Sequence, residues 1–99
     1  MSYIYLIKCW SPEPVYKIGY SKNPSDARMS QLQTGCPYLL ELIYEFQTRF
    51  GQELERAIHR RFNSCHLRLE WFELSVEDVN HFEYLCIQIE NNLRLIACN

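Results

Sequence analysis

A carboxylate and an imidazole lie four residues apart in the second half of the chain, at Glu55 and His59. Apolar residues recur around them at the spacing of one helix face, which predicts a helix over residues 51–63. Glu55 and His59 are then neighbours at the edge of its apolar stripe. A carboxylate can hold a divalent cation, and an imidazole can move a proton near neutral pH. A Glu at a helix edge is equally compatible with a solvated surface charge.

Three further groups with useful chemistry come earlier in the chain. Tyr5 and Lys17 lie in two successive runs of β-branched and aromatic residues, so they are expected to share one face of a β-hairpin. Arg28 falls in the helix predicted next, and its planar guanidinium suits bidentate contact with a phosphate. Phosphodiester hydrolysis needs a cationic clamp, a base and accurate positioning of both, and the chain offers a candidate for each role.

The order of these residues resembles the GIY-YIG endonuclease superfamily. Its two motif strands resemble Tyr3-Ile4-Tyr5 and Lys17-Ile18-Gly19, with Tyr and Lys standing where the superfamily usually has Gly and Tyr. Two later motifs resemble the phage-type branch, also found in a meiotically up-regulated fungal family, in which the second motif reads KIG. These are Glu55-x-x-x-His59-x-x-Phe62 and Glu70-Trp71-Phe72. The resemblance covers roughly residues 3–74 and implies a metal-dependent endonuclease.

The resemblance implies a role for each candidate. Glu55 is the expected ligand of Mg²⁺ or Mn²⁺, and Tyr5 is expected to activate the attacking water. A phenol with a pKa of about 10 needs a nearby positive charge to act as a base, and Lys17 could supply it. Arg28 is expected to contact phosphate, and His59 to donate a hydrogen bond to it or carry a proton. The implied substrate-binding residues are Gly19, Tyr20, Ser21 and Arg60.

Several of these side chains have structural alternatives that the sequence leaves open. Tyr5 could be a packed strand aromatic, Arg28 a surface charge paired with Asp26 or Glu41, and His59 an orienter of Glu55 or a boundary histidine. Gly19 marks a position where substrate or another backbone approaches closely. The Trp71-Phe72 pair is expected to pack on the sheet, the alternative being an aromatic platform for a nucleic-acid strand. Glu70 could be a second acidic group in the cleft.

The strand and helix patterns around these groups predict an α+β fold in one domain, residues 1–99. The motif-bearing core of this domain spans about residues 3–74. Strands are predicted over 3–9, 15–20 and 38–48, which form a small three-stranded antiparallel sheet. Helices are predicted to flank it over 24–33 and 51–63. Ser75 can cap a long C-terminal helix over 76–96.

Composition narrows the class of protein. Residues 1–68 carry nine basic side chains against six acidic ones, whereas residues 69–99 carry one against six. A basic part followed by an acidic helix suits contact with a phosphate backbone on one side. Five cysteines without a C-x-x-C pair favour reduced thiols over disulfides or a zinc site. With no signal peptide and no apolar run near roughly 18 residues, we expect a cytoplasmic, nucleoid or nuclear protein that is not secreted.

The expected partner is nucleic acid, with DNA favoured over RNA, and no membrane. Since the sequence shows no appended DNA-binding domain, targeting is expected to need a protein partner or a homo-oligomer. A competing hypothesis is a non-catalytic nucleic-acid- or protein-binding module on the same scaffold, in one form a phage-encoded modulator of a host system. A third is an oligomerisation domain built on the acidic C-terminal helix.

Overall fold

The computed structural model describes residues 1–97, apart from the side chains of Ser25 and Asp26. The thiol of Cys98 and the alternative pairing of Arg28 with Asp26 therefore lie outside the described residues. The strands are β1 (Ser2–Cys9), β2 (Val15–Ser21), β3 (Leu40–Thr48), β4 (His66–Arg68) and β5 (Trp71–Phe72). The helices are α1 (Ser25–Gln33), α2 (Gly51–Arg61), α3 (Val76–Asn80) and α4 (Phe82–Ala97), with a 3-10 turn at Asn63–Cys65 after α2.

The strands form one antiparallel sheet in the order β3-β1-β2-β5-β4. The predicted α+β class with flanking helices and a long C-terminal helix is confirmed, but the prediction of three strands is wrong because β5 and β4 extend the sheet beyond β2. These two strands are two and three residues long, and all three side chains of β4 are exposed. Neither strand has the alternation or the apolar run that marks a strand in sequence.

Both faces of the sheet are covered, and each face has its own apolar cluster. The larger cluster joins the sheet to α2 and α4, and its fully buried members include Ile4, Ile18, Ile58 and Phe82. The smaller cluster lies on the opposite face beneath α1 and contains Tyr5, Ile7, Cys9 and Leu40. Alternation along β1 sends neighbouring side chains to opposite faces, which is why Ile4 and Tyr5 enter different clusters. Tyr5 thus lies under the thinner, α1-covered layer.

The predicted C-terminal helix over 76–96 is divided at His81 into α3 and α4. Its predicted cap is confirmed: the Ser75 hydroxyl accepts from the Asp78 N–H at 3.1 Å, and the Asp78 carboxylate accepts from the Ser75 N–H at 3.0 Å. The His81 backbone departs from helical geometry and its ring bonds the Glu77 carbonyl at 2.9 Å, which separates the capped first turn from α4. No helix among residues 1–97 is long and apolar enough to cross a membrane.

Candidate active site

The phenol of Tyr5 lies across Gly19 on the neighbouring strand. The two residues are paired in the β1–β2 ladder, and a Cβ at Gly19 would overlap the far end of the phenol ring. Tyr5 is 1% exposed, so the ring is enclosed between its neighbours. The sequence marked Gly19 as a point of close approach; here it is the Tyr5 ring that occupies the space. Contact between Gly19 and substrate stays a prediction.

Arg28, carried by α1, supplies the cation next to the Tyr5 phenol. Its side chain is exposed and lies within hydrogen-bonding reach of the phenol. Burial nevertheless raises the pKa of Tyr5 above its ordinary value of 10.0; the Arg28 hydrogen bond lowers it, and the carboxylates of Glu70 and Glu55 raise it. Tyr5 is therefore a neutral phenol at neutral pH. That Lys17 also supplies positive charge to the phenol stays a prediction.

Lys17 shares the face of Tyr5, as the alternation predicted, and its ammonium is turned toward Glu70. It is 8% exposed and pairs across the sheet with Ile7 on β1 and Trp71 on β5. Lys17 Nζ lies 3.8 Å from Glu70 Oε1 and 5.5 Å from the centre of the Trp71 ring. A buried ammonium needs a counter-charge, and Glu70 provides it.

The backbone of Ile18 on β2 forms hydrogen bonds with both α2 and the Glu70 segment. On β2, the partners of β5 are Tyr16 and Lys17, and beyond that pairing the Ile18 N–H donates to the Glu70 carbonyl at 3.1 Å. The Ile18 carbonyl is 2.8 Å from His59 Nε2. Because a carbonyl only accepts, Nε2 must carry the proton, and the other ring nitrogen of His59 is left for other partners. His59 thus anchors α2 beside the motif strand.

Glu55 lies one turn before His59 and is half-buried. Burial raises the pKa of its carboxyl above the ordinary value of 4.5, and the nearby Glu70 charge raises it further. The positive charges of His59, Lys17 and Arg56 act in the opposite direction. The charges of Glu70 and Lys17 are therefore close enough to Glu55 to influence its ionisation. The carboxylate on α2 and the side chains on the α1-covered face of the sheet thus belong to one electrostatic environment.

The remaining predicted site residues are placed less centrally. Tyr20 is half-buried and packs over the start of α2, where a Cβ on Gly51 would press against its ring. The Ser21 hydroxyl accepts from the Asn23 N–H at 3.1 Å and so shapes the turn after β2. Arg60 is exposed on α2, and no ion pair to it is found in the described part of the chain. Their contacts with substrate stay predictions.

Trp71 and Phe72 pack in the apolar clusters of the sheet, as the sequence predicted. Phe72 is fully buried in the larger cluster, with the rings of His59 and His66 edge-on to it at 4.9 and 5.2 Å. Trp71 is half-buried against the smaller cluster that contains Tyr5. The two side chains therefore pack on opposite faces of the sheet, Phe72 toward α2 and Trp71 on the face of Tyr5.

The T5orf172 domain family matches residues 2–87, from β1 into the first half of α4. The chain belongs to the T5orf172 domain family. This family is related to GIY-YIG-like, phage endonuclease-type domains, which confirms the resemblance at that level and indicates a nucleic-acid-related module. No curated protein and no solved structure matches the chain.

The T5orf172 domain has a donor set that fits a loosely held magnesium ion. Among the described residues no group of three or more His, Cys, Asp and Glu side chains is arranged to hold a metal ion. Mg²⁺ usually keeps several waters and takes one or two carboxylates together with substrate phosphate oxygens. Glu55, a half-buried single carboxylate on α2, fits that kind of binding and does not fit a closed all-protein cage.

Glu70 is the residue of this site whose partner could not be predicted from the sequence. It faces Lys17, influences both Tyr5 and Glu55, and bonds β2 through its backbone. Its position directly before Trp71-Phe72 was the one available signal. The pairing itself depends on the β4–β5 turn, which the sequence did not reveal.

Proposed function

We propose that this T5orf172 domain is a metal-dependent endonuclease that hydrolyses phosphodiester bonds in nucleic acid, with DNA favoured over RNA. The observation that supports the proposal is convergence. Tyr5, Lys17, Arg28 and Glu55 come from four different elements yet lie within hydrogen-bonding or electrostatic reach of one another through Glu70. A clustered base candidate, cations and carboxylates, with two of the pKa values displaced by burial, is the physical signature of a site for acid–base chemistry on a charged substrate.

In the proposed reaction Arg28 contacts the phosphate, and Lys17 offsets the negative charge that builds on its oxygens. Glu55 would hold Mg²⁺ or Mn²⁺, which supplies Lewis-acid stabilisation and lowers the pKa of a bound water. Tyr5 orients the attacking water through its phenol oxygen. The free ring nitrogen of His59 is available to move a proton, because the Nε2 proton is committed to the Ile18 carbonyl.

Access to Tyr5 is controlled by Arg28. The phenol is 1% exposed, and the guanidinium lies within hydrogen-bonding reach of it. An incoming phosphate competes for this guanidinium with two anionic oxygens, which form stronger hydrogen bonds than a neutral phenol does. Phosphate binding therefore draws Arg28 outward and opens the phenol to water at the moment when the substrate arrives.

Assignment to the phage-type branch with a KIG motif is part of the same proposal. Lys17 replaces the second tyrosine of the usual motif pair, and its ammonium is buried on the face of Tyr5. Glu70 and Trp71 lie next to it, and Phe72 enters the cluster on the opposite face of the sheet. The two branch motifs therefore meet in space, although more than half of the chain lies between them.

One observation favours a non-catalytic binding module as the second candidate. The Tyr5 phenol is covered and neutral, and the Lys17 ammonium is already paired with Glu70. A site locked in this arrangement would bind nucleic acid or a protein, for example as a phage-encoded modulator of a host system, without cleaving. Targeting by a protein partner or a second copy of the chain fits either candidate.

The test is cleavage of end-labelled single-stranded, duplex and branched DNA and RNA by purified protein, with Mg²⁺ or with a chelator. Glu55→Gln removes the carboxylate charge, and Glu53→Gln on the exposed side of α2 is its matched control. We expect Mg²⁺-dependent cleavage that falls by about 10²-fold or more in Glu55→Gln. We expect no change in Glu53→Gln.

Binding of the same substrates, measured by fluorescence anisotropy, separates the two candidates. Binding without cleavage by folded wild-type protein, with and without metal, rejects the endonuclease and supports the binding module. Equal cleavage by Glu55→Gln and wild-type protein contradicts the assigned site even if the protein is a nuclease.

A further inference from the structure

Lys17 is the one lysine or arginine of the described chain with a buried side chain. It stands in the second motif, flanked by Ile7 and Trp71, so its ammonium has little water to solvate it. Within the described residues its ion-pair partner is Glu70, at 3.8 Å. A buried ammonium without a counter-charge is strongly destabilised, so the Lys17 ammonium is held next to the Glu70 carboxylate.

The turn that carries Glu70 is held by two hydrogen bonds in a strained conformation. Leu69 and Glu70 form the two-residue connection between β4 and β5, and Leu69 has φ of 55°, the one positive value of a non-glycine residue in the described chain. His66 Nε2 donates to the Leu69 carbonyl, and the Ile18 N–H donates to the Glu70 carbonyl at 3.1 Å. A left-handed leucine costs on the order of 1–3 kcal/mol and persists only where its surroundings enforce it.

These constraints converge on one result, the position of the Glu70 carboxylate. A hairpin connection with glycine or asparagine would form this turn without strain. The chain instead keeps Leu69 in a costly conformation, held by a histidine from β4, and the side chain that follows it faces the buried lysine. An ordinary surface ion pair needs none of this support.

We propose that Glu70 is a positioning residue for phosphodiester cleavage, which holds the Lys17 ammonium in place on the sheet face that also carries Tyr5. This inference rests on the proposed endonuclease function and deepens it. Glu70 acts through Lys17 and touches neither the substrate nor the reacting atoms. Its own negative charge also keeps the resting site close to neutral, so that Lys17 is not a free cation that attracts unrelated anions.

The test is a double-mutant cycle on cleavage kinetics with Lys17→Gln, Glu70→Gln and the double variant. Glu73→Gln is the matched control, since Glu73 is an exposed carboxylate three residues further on. We expect Glu70→Gln to lower kcat on the order of 10- to 100-fold with KM unchanged. The double variant should cleave no more slowly than Lys17→Gln alone, because the ion pair with Lys17 is the contact through which Glu70 assists cleavage. The Glu70 charge also raises the pKa of Tyr5 and of Glu55, and its removal relieves that effect. Glu73→Gln should match the wild type.

As a control for folding, the thermal unfolding of every variant is measured, and the kinetics are run well below the lowest unfolding midpoint. Glu70→Asp gives a second, milder measurement, because it keeps the charge but withdraws it by one methylene; we expect a loss between those of wild type and Glu70→Gln. Multiplicative effects of the two single variants, or wild-type kcat in Glu70→Gln, overturn this inference alone. A wild-type protein that cleaves none of the substrates overturns the endonuclease proposal and this inference with it.

Discussion

Replacing Gly19 by alanine tests the central contact of the site, the phenol of Tyr5 lying across the glycine. A methyl group at this position would come within 2.7 Å of Tyr5 Cε1 and closer still to the two atoms beyond it. Nearby atoms cannot make room easily, because Tyr5 is 1% exposed and belongs to the apolar cluster beneath α1. The ring must therefore move as a whole, away from its place beside Arg28.

The expected cost follows from the chemistry of overpacking. Inserting a methyl group into a filled interior typically destabilises a protein by about 1–3 kcal/mol. For a chain of this length each kcal/mol lowers the unfolding midpoint by roughly 4–8 °C, so Gly19→Ala should lower it by about 4–24 °C. Gly35→Ala is the matched control, because a Cβ there meets no atom within 4 Å and its φ is not positive. It should leave stability unchanged or raise it by up to about 1 kcal/mol.

The assay is thermal unfolding followed by circular dichroism, repeated in a Tyr5→Leu background that removes the outer ring atoms. Gly19→Ala should cost less in that background than in the wild type, since the clash partner is gone. Below its midpoint, Gly19→Ala should also lose cleavage, because the phenol no longer lies next to Arg28. Equal midpoints for Gly19→Ala and Gly35→Ala, or the same cost in both backgrounds, would refute the Tyr5–Gly19 contact.

Three further results are expected. Glu55→Gln should raise the unfolding midpoint at pH 7. The pKa of Glu55 is higher in the folded than in the unfolded protein, so the charged carboxylate destabilises the fold at pH 7 and a neutral amide does not. Near pH 3.5 the carboxyl is protonated in both states, and the difference between variant and wild type should vanish. An unchanged midpoint at pH 7 contradicts the burial of the carboxylate. His59→Ala should cost about 1–3 kcal/mol in urea unfolding, because a half-buried carbonyl of β2 loses its donor; a smaller cost argues against that bond. The double variant Arg56→Gln, Arg60→Gln should reduce the slope of the DNA-binding constant against salt concentration, on logarithmic scales, by the equivalent of about two phosphate contacts. Arg94→Gln should leave that slope unchanged, because Arg94 is ion-paired on α4. Identical slopes in all three proteins would place the DNA elsewhere.

The elements that the sequence predicted are those with a long pattern. β1, β2, β3 and α2 were each located to within about two residues, because alternation, apolar runs or the 3.6-residue period extend over seven or more residues in each of them. α1 was located equally well by its start and stop signals. β4 and β5 together contain five residues, and their pairing is set by a turn with no glycine, asparagine or proline. Local sequence carries no signal for such a hairpin, so the sheet was predicted with three strands.

The site shows the same division between pattern and geometry. The shared face of Tyr5 and Lys17 followed from strand alternation and is confirmed by the register. Which cation meets the phenol could not be predicted, because it depends on how α1 packs over the sheet. Arg28 lies next to the phenol for this reason, and Glu70 enters the site through a turn that the sequence did not reveal.

Features that cost stability are gathered in one part of this molecule. Lys17 is a buried ammonium, the Glu55 carboxylate is disfavoured by burial and by its neighbour, and Leu69 holds a left-handed backbone. All three lie on β2, on the helix anchored to it by His59, or in the turn bonded to it at Ile18. A fold selected for stability alone would replace each of them, and a site that must bind charge would keep them together. Their concentration around Ile18 is the reason to look for chemistry at this edge of the sheet.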